Sequence, residues 1–267
     1  MRRRRTSEGY LEFAHILADR AGAAILPHFR RRLAIADKSG PGERYDPVTV
    51  ADRAAERAMR AAIAEAFPDH GIIGEEFAER PGAGSLRWVL DPIDGTRAFI
   101  TGSPLWGTLI GLVEDGVPIL GVMDQPFTRE RFWGADGQAH LRGPEGRAHR
   151  LKTRPCPDLA QAVLTSTHPD LFKSPRETAA FGRVKQQARM TRYGGDCYSY
   201  CLLAAGFVDV VVEAGLKPYD VVGLIPIIEG AGGQMTTWDD KPALNGGQIL
   251  ATGDKRVHAE ALALLNG

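Results

Sequence analysis

The sequence has no excess charge of either sign and no long apolar run. Lys plus Arg and Asp plus Glu number 33 each in a chain of 267 residues, so the formal net charge is zero. Proteins that bind nucleic acid by releasing counterions usually carry a basic surplus, and a membrane-spanning helix needs roughly 18 or more successive apolar residues. The composition therefore disfavours nucleic acid and a membrane as partners.

Cysteine is also scarce. The chain has three cysteines without the spacing of a zinc site or a disulfide framework, and these are Cys156, Cys197 and Cys201. They indicate reduced thiols in a cytoplasmic protein. Cys197 and Cys201 lie four residues apart and would share one helix face. A redox pair is conceivable there, but burial as two small side chains is the favoured interpretation.

No signal peptide is expected at the N-terminus. The basic segment Arg2–Arg5 has the charge of such a signal. However, Glu8, Glu12 and His15 interrupt the apolar stretch that should follow it. We interpret this segment as a frayed, solvated terminus and expect a cytoplasmic protein.

Two N-terminal segments show helical spacing of their apolar residues. The first covers about 7–32, where Pro27 should kink the helix or close it early. After a loop rich in Gly and Pro, a second helix is predicted from an N-cap at Thr49 to about Phe67. Asp52 lies three residues after this cap. From spacing alone, it is either a capping residue or a functional one.

The rest of the chain mixes hairpins with crossover helices. Strands are expected near 71–74, 87–90, 106–113, 117–123, 131–133, 140–142 and 162–167. After Ser174 we expect helices near 176–181, 196–205 and 220–231, strands into Arg192 and over 208–213, and then two strands and a closing helix. This order favours layered sheets with helices between or outside them. A change in pattern near residue 150 suggests two halves, 1–150 and 151–267, within one compact unit.

The most informative segment is Asp91-Pro92-Ile93-Asp94-Gly95-Thr96, directly after an apolar strand. Asp, Pro and Gly should end the strand sharply, and Thr96 could start the next helical turn. Two carboxylates three residues apart in such a turn can converge on one hard cation, with free amides beside it for a phosphate. Turn chemistry alone also selects these residues, so the segment by itself leaves both interpretations open.

Other carboxylates strengthen the functional interpretation. Glu75 and Glu76 end the preceding apolar run, and since neighbouring strand residues point to opposite faces, only one of them need enter a site. Asp220 follows a Lys-Pro-Tyr turn and precedes an apolar helix. Its alternative interpretation is a helix N-cap.

These motifs together resemble the inositol monophosphatase superfamily. The resemblance covers nearly the whole chain, in the order and at roughly the spacing of the family. The matching segments are Gly74-Glu75-Glu76, Trp88–Thr96 with Phe99, Tyr219–Gly223 and Glu229–Gly233.

The resemblance implies an α/β fold, an α+β layered sandwich of alternating helices and mixed sheets. It also implies a homodimer and Mg²⁺-dependent hydrolysis of phosphate monoesters, often inhibited by lithium, with two to three ions per site. By this resemblance, Glu75, Asp91 and the Ile93 carbonyl bind the first ion. Asp91, Asp94 and Asp220 bind the second, and a looser third ion lies near Glu75.

The same resemblance assigns the catalytic and phosphate-binding positions. Asp52 and Thr96 match positions that orient the attacking water, and Glu75 is the third catalytic position. The backbone at Asp94, Gly95 and Thr96 matches the segment that binds the phosphate. The chemistry agrees, because Mg²⁺ prefers oxygen ligands and bare carboxylates brought together would repel strongly. We therefore expect a loose site without metal.

The substrate side is read from the segment Arg192–Tyr198. It resembles the histidinol-phosphate phosphatase branch, together with Arg97-Ala98-Phe99 and Trp106-Gly107-Thr108. Asp196 would project from a helix start, where it can pair with a substrate ammonium or serve only as an N-cap. Glu213 matches a position that contacts substrate in the family. Arg192, Asp196, Glu213 and Asp220 are thus the candidate substrate residues for histidinol phosphate.

Two alternatives stay open. The runner-up is a phosphatase for inositol phosphate or another sugar phosphate, whose polyol needs only neutral donors and acceptors. A different class is a noncatalytic phosphometabolite-binding protein that retains the fold. The intact set of acidic residues argues against it.

Overall fold

The computed structural model describes residues 2–40, 45 and 47–267, with side chains from Glu8 onward. Its helices are α1 (Arg2–Ile25), α2 (Val50–Ala66), α3 (Thr96–Ile100), α4 (Pro175–Gln187), α5 (Asp196–Ala204), α6 (Pro218–Val221), α7 (Ile225–Gly230) and α8 (Lys255–Asn266). Within the described ranges, no helix is both long and apolar enough to cross a membrane.

The strands form two large mixed sheets and one small hairpin-like pair. They are β1 (Ile35–Asp37), β2 (Pro47–Thr49), β3 (Gly71–Gly74), β4 (Leu86–Asp94), β5 (Gly107–Glu114), β6 (Val117–Gln125), β7 (Glu130–Ala135), β8 (Gln138–Arg142), β9 (Ala148–Arg150), β10 (Val163–Ser166), β11 (Met190–Tyr193), β12 (Val210–Leu216), β13 (Gln234–Thr237) and β14 (Gly247–Thr252). The seven-stranded sheet has the order β3-β4-β5-β6-β7-β8-β9, and the five-stranded sheet has the order β11-β10-β12-β14-β13. Strand β1 pairs with β2.

The sheets and helices stack in five layers. Trp88 and Leu90 of β4 face α1 and α2, whereas Val89 faces the opposite side and packs with α5 and α7. In the five-stranded sheet, Val211 packs toward this same central helical layer, and its neighbours Val210 and Val212 face α4 and α8. The alternation follows from the two-residue period of a strand. The predicted layered fold of helices and mixed sheets is confirmed.

The start of α2 also follows the prediction. Thr49 caps the helix, because its hydroxyl accepts a hydrogen bond from the N–H of Ala51 at 3.1 Å. Asp52 completes a capping box, since its Oδ2 accepts from the Thr49 N–H at 2.9 Å. This arrangement satisfies amides that the first turn would otherwise leave unpaired.

Some predicted boundaries were wrong. The helix expected over 220–231 is divided into α6 and α7, because Pro226 in the first turn of α7 cannot continue a helix that arrives from its N-terminal side. Strand β4 does not end sharply at Leu90 but continues to Asp94, with a shift in register to β5 between Asp91 and Asp94. The sequence also gave no signal for the short strands β1, β2 and β9.

The backbone of the central helical layer contacts the seven-stranded sheet at Gly121. A Cβ added at Gly121 of β6 would be 2.0 Å from the Gly223 carbonyl oxygen, in the segment between α6 and α7. This segment follows Asp220 directly, so the close contact helps to set how far α6 stands from β4. Gly121 is therefore required by the approach of two backbones rather than by a turn.

We predict that Gly121→Ala destabilises the protein by about 1–3 kcal/mol, the usual cost of overpacking. The matched control is Gly182→Ala in the interior of α4, where an added Cβ meets no atom within 4 Å. That control should stabilise the protein by roughly 0.5–1 kcal/mol through helix propensity. Urea unfolding of both variants checks the pair. Equal effects would show that the close contact is unimportant.

Candidate metal centre

The end of β4 folds into a turn that holds two carboxylates in place. The Ile93 N–H donates to Asp91 Oδ1 at 3.0 Å, and the Thr96 hydroxyl donates to the Ile93 carbonyl at 3.1 Å. Gly95 has φ 86°, a left-handed value that favours glycine, and α3 starts at the next residue. The predicted helical start at Thr96 is confirmed.

Three aspartates converge at this turn. One carboxylate oxygen from each of Asp91, Asp94 and Asp220 lies within 4.8 Å of the others. Asp91 is only 1% exposed. Asp220 arrives on α6, where its Oδ2 accepts from the Lys217 N–H at 2.7 Å. Lys217 is the N-cap of α6 and Asp220 is its third residue, so the N-cap interpretation of Asp220 was wrong.

Glu75 joins this group from the neighbouring strand. Strands β3 and β4 are parallel, and the Glu75 N–H donates to the Leu90 carbonyl at 3.3 Å. Glu75 directly follows β3, and this hydrogen bond places it beside Asp91, the residue after Leu90. Burial raises the pKa of both Asp91 and Asp220, and the charge of Glu75 raises both further. We refer to Glu75, Asp91, Asp94 and Asp220 as the acidic cluster.

Asp52 uses only one of its two carboxylate oxygens to cap α2. Its Oδ2 accepts from the Thr49 hydroxyl at 2.6 Å as well as from the Thr49 amide. Its Oδ1 is buried and has no hydrogen-bond partner among the described residues. Burial raises the pKa of Asp52. One of its oxygens therefore serves the helix, and the other can accept a hydrogen bond from a water or ligand.

Without a bound cation, the negative charges of the acidic cluster are unfavourable. Burial, followed by the charges of neighbouring carboxylates, raises the pKa of Asp94 to about 8. The pKa of Glu75 and that of Asp220 rise to about 7, also mainly through burial. Oxygen ligands that converge from several loops are what Mg²⁺ prefers. The donor set fits a divalent cation, whose charge would relieve the repulsion.

The start of α5 brings Asp196, one of the predicted substrate residues, to the same turn. The Cys197 N–H donates to Asp94 Oδ2 at 2.6 Å. A Cβ added at Gly95 would lie 3.2 Å from the Asp196 side chain, so Asp196 packs directly on the turn. Gly195 is the N-cap of α5 and Asp196 the first helical residue, so the N-cap interpretation of Asp196 was also wrong. Burial and the Asp94 charge raise the pKa of Asp196 to about 8.

Glu213 on β12 completes this side. Its Oε1 accepts from the Thr167 N–H at 2.9 Å and from the Thr167 hydroxyl at 2.6 Å. Burial first, and then the charge of Asp196, raises the pKa of Glu213 to about 7. Arg192 is an exposed residue of the edge strand β11, and in the described part of the chain no hydrogen bond or ion pair joins it to these carboxylates.

Two residues near the cluster were not among the predicted site residues. Lys38 donates to Glu75 Oε1 and Glu76 Oε1, both at 2.7 Å. Burial opposes the Lys38 charge, but the two carboxylates outweigh it and raise its pKa. Lys38 stands in a loop rich in Gly and Pro, where sequence gives no pairing signal.

Glu56 holds the turn after β3 in place through a hydrogen bond to its main chain. It is fully buried in α2, and its Oε2 accepts from the Glu76 N–H at 2.7 Å. Its Oε1 accepts from Arg60 Nε, also at 2.7 Å. In the sequence, its position four residues after Asp52 places it on the same face of the helix. This spacing was the signal that could have indicated Glu56.

The raised carboxyl pKa values predict a stability that depends on pH. An acid whose pKa is higher in the folded protein holds its proton more readily when folded. The metal-free protein should therefore lose stability as pH rises from about 4, the unfolded value, through the folded values of about 7 to 8. Mg²⁺ should remove most of this loss.

Urea unfolding at several pH values, with EDTA or with Mg²⁺, measures this dependence. Asp94→Asn should flatten the slope in EDTA, because it removes one of the repelling charges. The exposed Asp239→Asn should leave the slope unchanged. A metal-free protein that gains stability toward alkaline pH would contradict the predicted sign.

Comparison with known proteins gives a consistent result. The model of the inositol monophosphatase family matches residues 7–266. The bifunctional phosphatase IMPL2 of Arabidopsis thaliana, a chloroplastic protein, is 44% identical over 261 residues, which cover 93% of this chain and 72% of that protein. The histidinol-phosphatase of Mycobacterium tuberculosis is 36% identical over 221 residues, covering 82% of this chain and 85% of that one.

A solved structure supports the fold as well as the family. An inositol monophosphatase from Zymomonas mobilis is 44% identical, with a TM-score of 0.85, and the match covers 97% of this chain and 98% of that chain. Members of this family are metal-dependent hydrolases of phosphoric monoesters. The family match spans nearly all of the chain, including the acidic cluster. The chain belongs to the inositol monophosphatase family of phosphatases.

Proposed function

We propose that this phosphatase hydrolyses histidinol phosphate to histidinol and phosphate, with Mg²⁺, in the biosynthesis of histidine. The observation that carries the substrate assignment is the pair of acids Asp196 and Glu213 beside the turn that would bind the phosphate. A buried carboxylate, Glu213, and a partly buried one, Asp196, favour a leaving group with positive charge, and histidinol carries an amine and an imidazole. The histidinol-phosphatase among the relatives supports this choice.

The acidic cluster would hold two to three Mg²⁺ ions. Glu75, Asp91 and the Ile93 carbonyl would bind the first, and Asp91, Asp94 and Asp220 the second, with a looser third ion near Glu75. When bound, Mg²⁺ supplies positive charge for the phosphate and for the oxygen that attacks it. Lys38 donates to Glu75 Oε1, and it would give up this contact as the ions bind, because a bound cation would repel its charge.

The protein's own groups would orient the attacking water and the phosphate. Asp52 Oδ1, which has no hydrogen-bond partner among the described residues, can accept a hydrogen bond from water. Thr96 donates its hydroxyl proton to Ile93, so the hydroxyl oxygen can accept as well. Glu75 is the third group on this side. The main chain at 94–96 would bind the phosphate, since the first amides of a helix lack partners within it.

Asp196 and Glu213 would then select the leaving group. Each has a raised pKa because it is buried, and a cationic substrate would favour their charged forms. Asp220, a member of the acidic cluster, would also contact the substrate. Arg192 stays a prediction from the sequence, as does the homodimer.

A second candidate is hydrolysis of inositol phosphate or another sugar phosphate. The specific observation in its favour is the Zymomonas mobilis inositol monophosphatase, which is as similar in sequence as IMPL2. A noncatalytic binding protein is the remaining alternative. It would bind these esters without releasing phosphate.

The substrate proposal predicts a ranked profile of kcat/KM. With Mg²⁺, kcat/KM for phosphate release should be about a hundredfold higher for histidinol phosphate than for inositol 1-phosphate or fructose 1,6-bisphosphate. This ratio corresponds to roughly 2.7 kcal/mol of differential transition-state binding. A flat profile, or one led by inositol phosphate, would keep the phosphatase and reject the substrate. Binding without turnover of any ester would favour the noncatalytic alternative.

Asp196→Asn should lower kcat/KM for histidinol phosphate about tenfold to a hundredfold, because a charge-assisted hydrogen bond to the substrate is lost. Inositol 1-phosphate should change by less than about threefold, since its polyol makes no ion pair. The exposed Asp239→Asn serves as the control. Equal losses with every ester would show that Asp196 supports the turn rather than selecting the substrate.

A further inference from the structure

A second concave site lies on the opposite face of the seven-stranded sheet from α5 and α6. It is a cavity of about 450 Å³ between α1 and the ends of β6, β7 and β8. This volume is in the range of small-molecule sites. We refer to it as the α1 cavity. Its charged lining residues are Asp19, Asp124, Arg129, Arg131 and Arg142.

The floor of the α1 cavity is a row of charged side chains across three strands. Asp124 on β6 is the direct partner of Arg131 on β7, and Arg131 is the direct partner of Arg142 on β8. Directly opposed residues project from the same face of a sheet. Elsewhere this face is covered by α1 and α2 through apolar side chains such as Leu112 and Val122. The charged row is therefore unusual for its layer.

Arg131 is rigidly held in this row. It is 5% exposed, and it donates to Asp124 Oδ1 and Asp19 Oδ1 at 2.6 Å each and to the His15 carbonyl at 3.2 Å. The two aspartates that line the cavity are thus engaged by one guanidinium. A buried charge needs such partners, so this part of the lining is structurally fixed.

The other two arginines are not neutralised in this way. Arg129 and Arg142 are exposed, and neither forms an ion pair with any carboxylate that the structure describes. Arg142 also stands directly opposite Arg131, and like charges in that position repel. With three arginines and two aspartates, the lining has a net positive charge.

The positive charge of this lining also affects the pKa of a neighbouring histidine. The pKa of His15 is lowered to about 4 by burial and then by the charges of Arg131 and Arg142. The walls of the cavity between the charges are apolar, with Ala23 and Leu26 on α1 and Pro126 and Pro144 on the loops. The lining thus combines two available guanidinium groups with an apolar surface.

We propose that the α1 cavity binds a small organic anion, a metabolite whose phosphate group is attached to an apolar or ring body. Arg129 and Arg142 bind the phosphate, because a guanidinium matches phosphate oxygens in a bidentate manner. The apolar wall of α1 covers the organic body. No residue of the acidic cluster lines this cavity, so such a ligand would bind apart from the candidate metal centre.

The test is calorimetric titration of the full chain in EDTA with phenylphosphonate, a phosphate-like anion on a ring that phosphatases cannot hydrolyse. Without metal, the acidic cluster repels anions, so binding there does not interfere. We expect one binding site with a Kd on the order of 1 mM or below.

Two variants address the site by different routes. The double variant Arg129→Ala and Arg142→Ala should weaken binding at least about tenfold by removing the charges. Ala23→Trp, at an exposed position of α1, should abolish binding by filling the cavity. Arg147→Ala is the matched control, since Arg147 is exposed nearby but does not line the cavity. Thermal unfolding verifies that each variant folds.

Binding that is lost in both variants and kept in the control supports the α1 cavity. The proposal is overturned if phenylphosphonate does not bind at about twenty times the expected Kd, or if it binds equally well to both variants. Activity on any phosphate ester does not enter this test, so its outcome is independent of the proposed function.

Discussion

The mutual repulsion of buried carboxylates at the end of β4 is the constraint on which the site depends. Asp91 is almost inaccessible to water, and Asp94 and Asp220 lie within a few ångströms of it. Each of the three accepts a backbone hydrogen bond, but their negative charges still repel one another at this distance, so protons or cations must balance them. Lys38 offsets part of the charge on Glu75. The remaining negative charge suits the cluster to a divalent cation and disfavours a bare anion.

The five-layer fold brings these groups together from distant parts of the chain. The parallel pair β3 and β4 places Glu75 beside Asp91, and the central helical layer supplies Asp220 and Asp196 from the C-terminal half. That layer is held close to the seven-stranded sheet by the contact of Gly121 with Gly223. The geometry of the acidic cluster thus depends on packing between segments from both ends of the chain, and the division near residue 150 stays a prediction.

Much of this was predictable, for identifiable reasons. The family resemblance and the layered fold were visible because several motifs recur jointly, and the cap at Thr49 because capping is local chemistry. The division of α6 from α7 differs from the prediction, because the helical spacing over 220–231 continues across the break that Pro226 imposes. Lys38 and the charged row that includes Arg142 were not predicted as parts of a site, because their significance comes from tertiary contacts. For the same reason, the sequence leaves Asp196 and Asp220 open as either N-caps or site residues. In the structure, Gly195 and Lys217 are the N-caps.

The most direct test of the central claim is a crystal structure of the protein soaked with Mn²⁺, with anomalous scattering used to locate the ions. The account predicts at least two peaks within coordination distance of the acidic cluster. One should lie between Glu75 and Asp91, and the other among Asp91, Asp94 and Asp220. It also predicts that Lys38 leaves Glu75. A fully soaked crystal without peaks at these carboxylates, and with Lys38 still bound to Glu75, would contradict it.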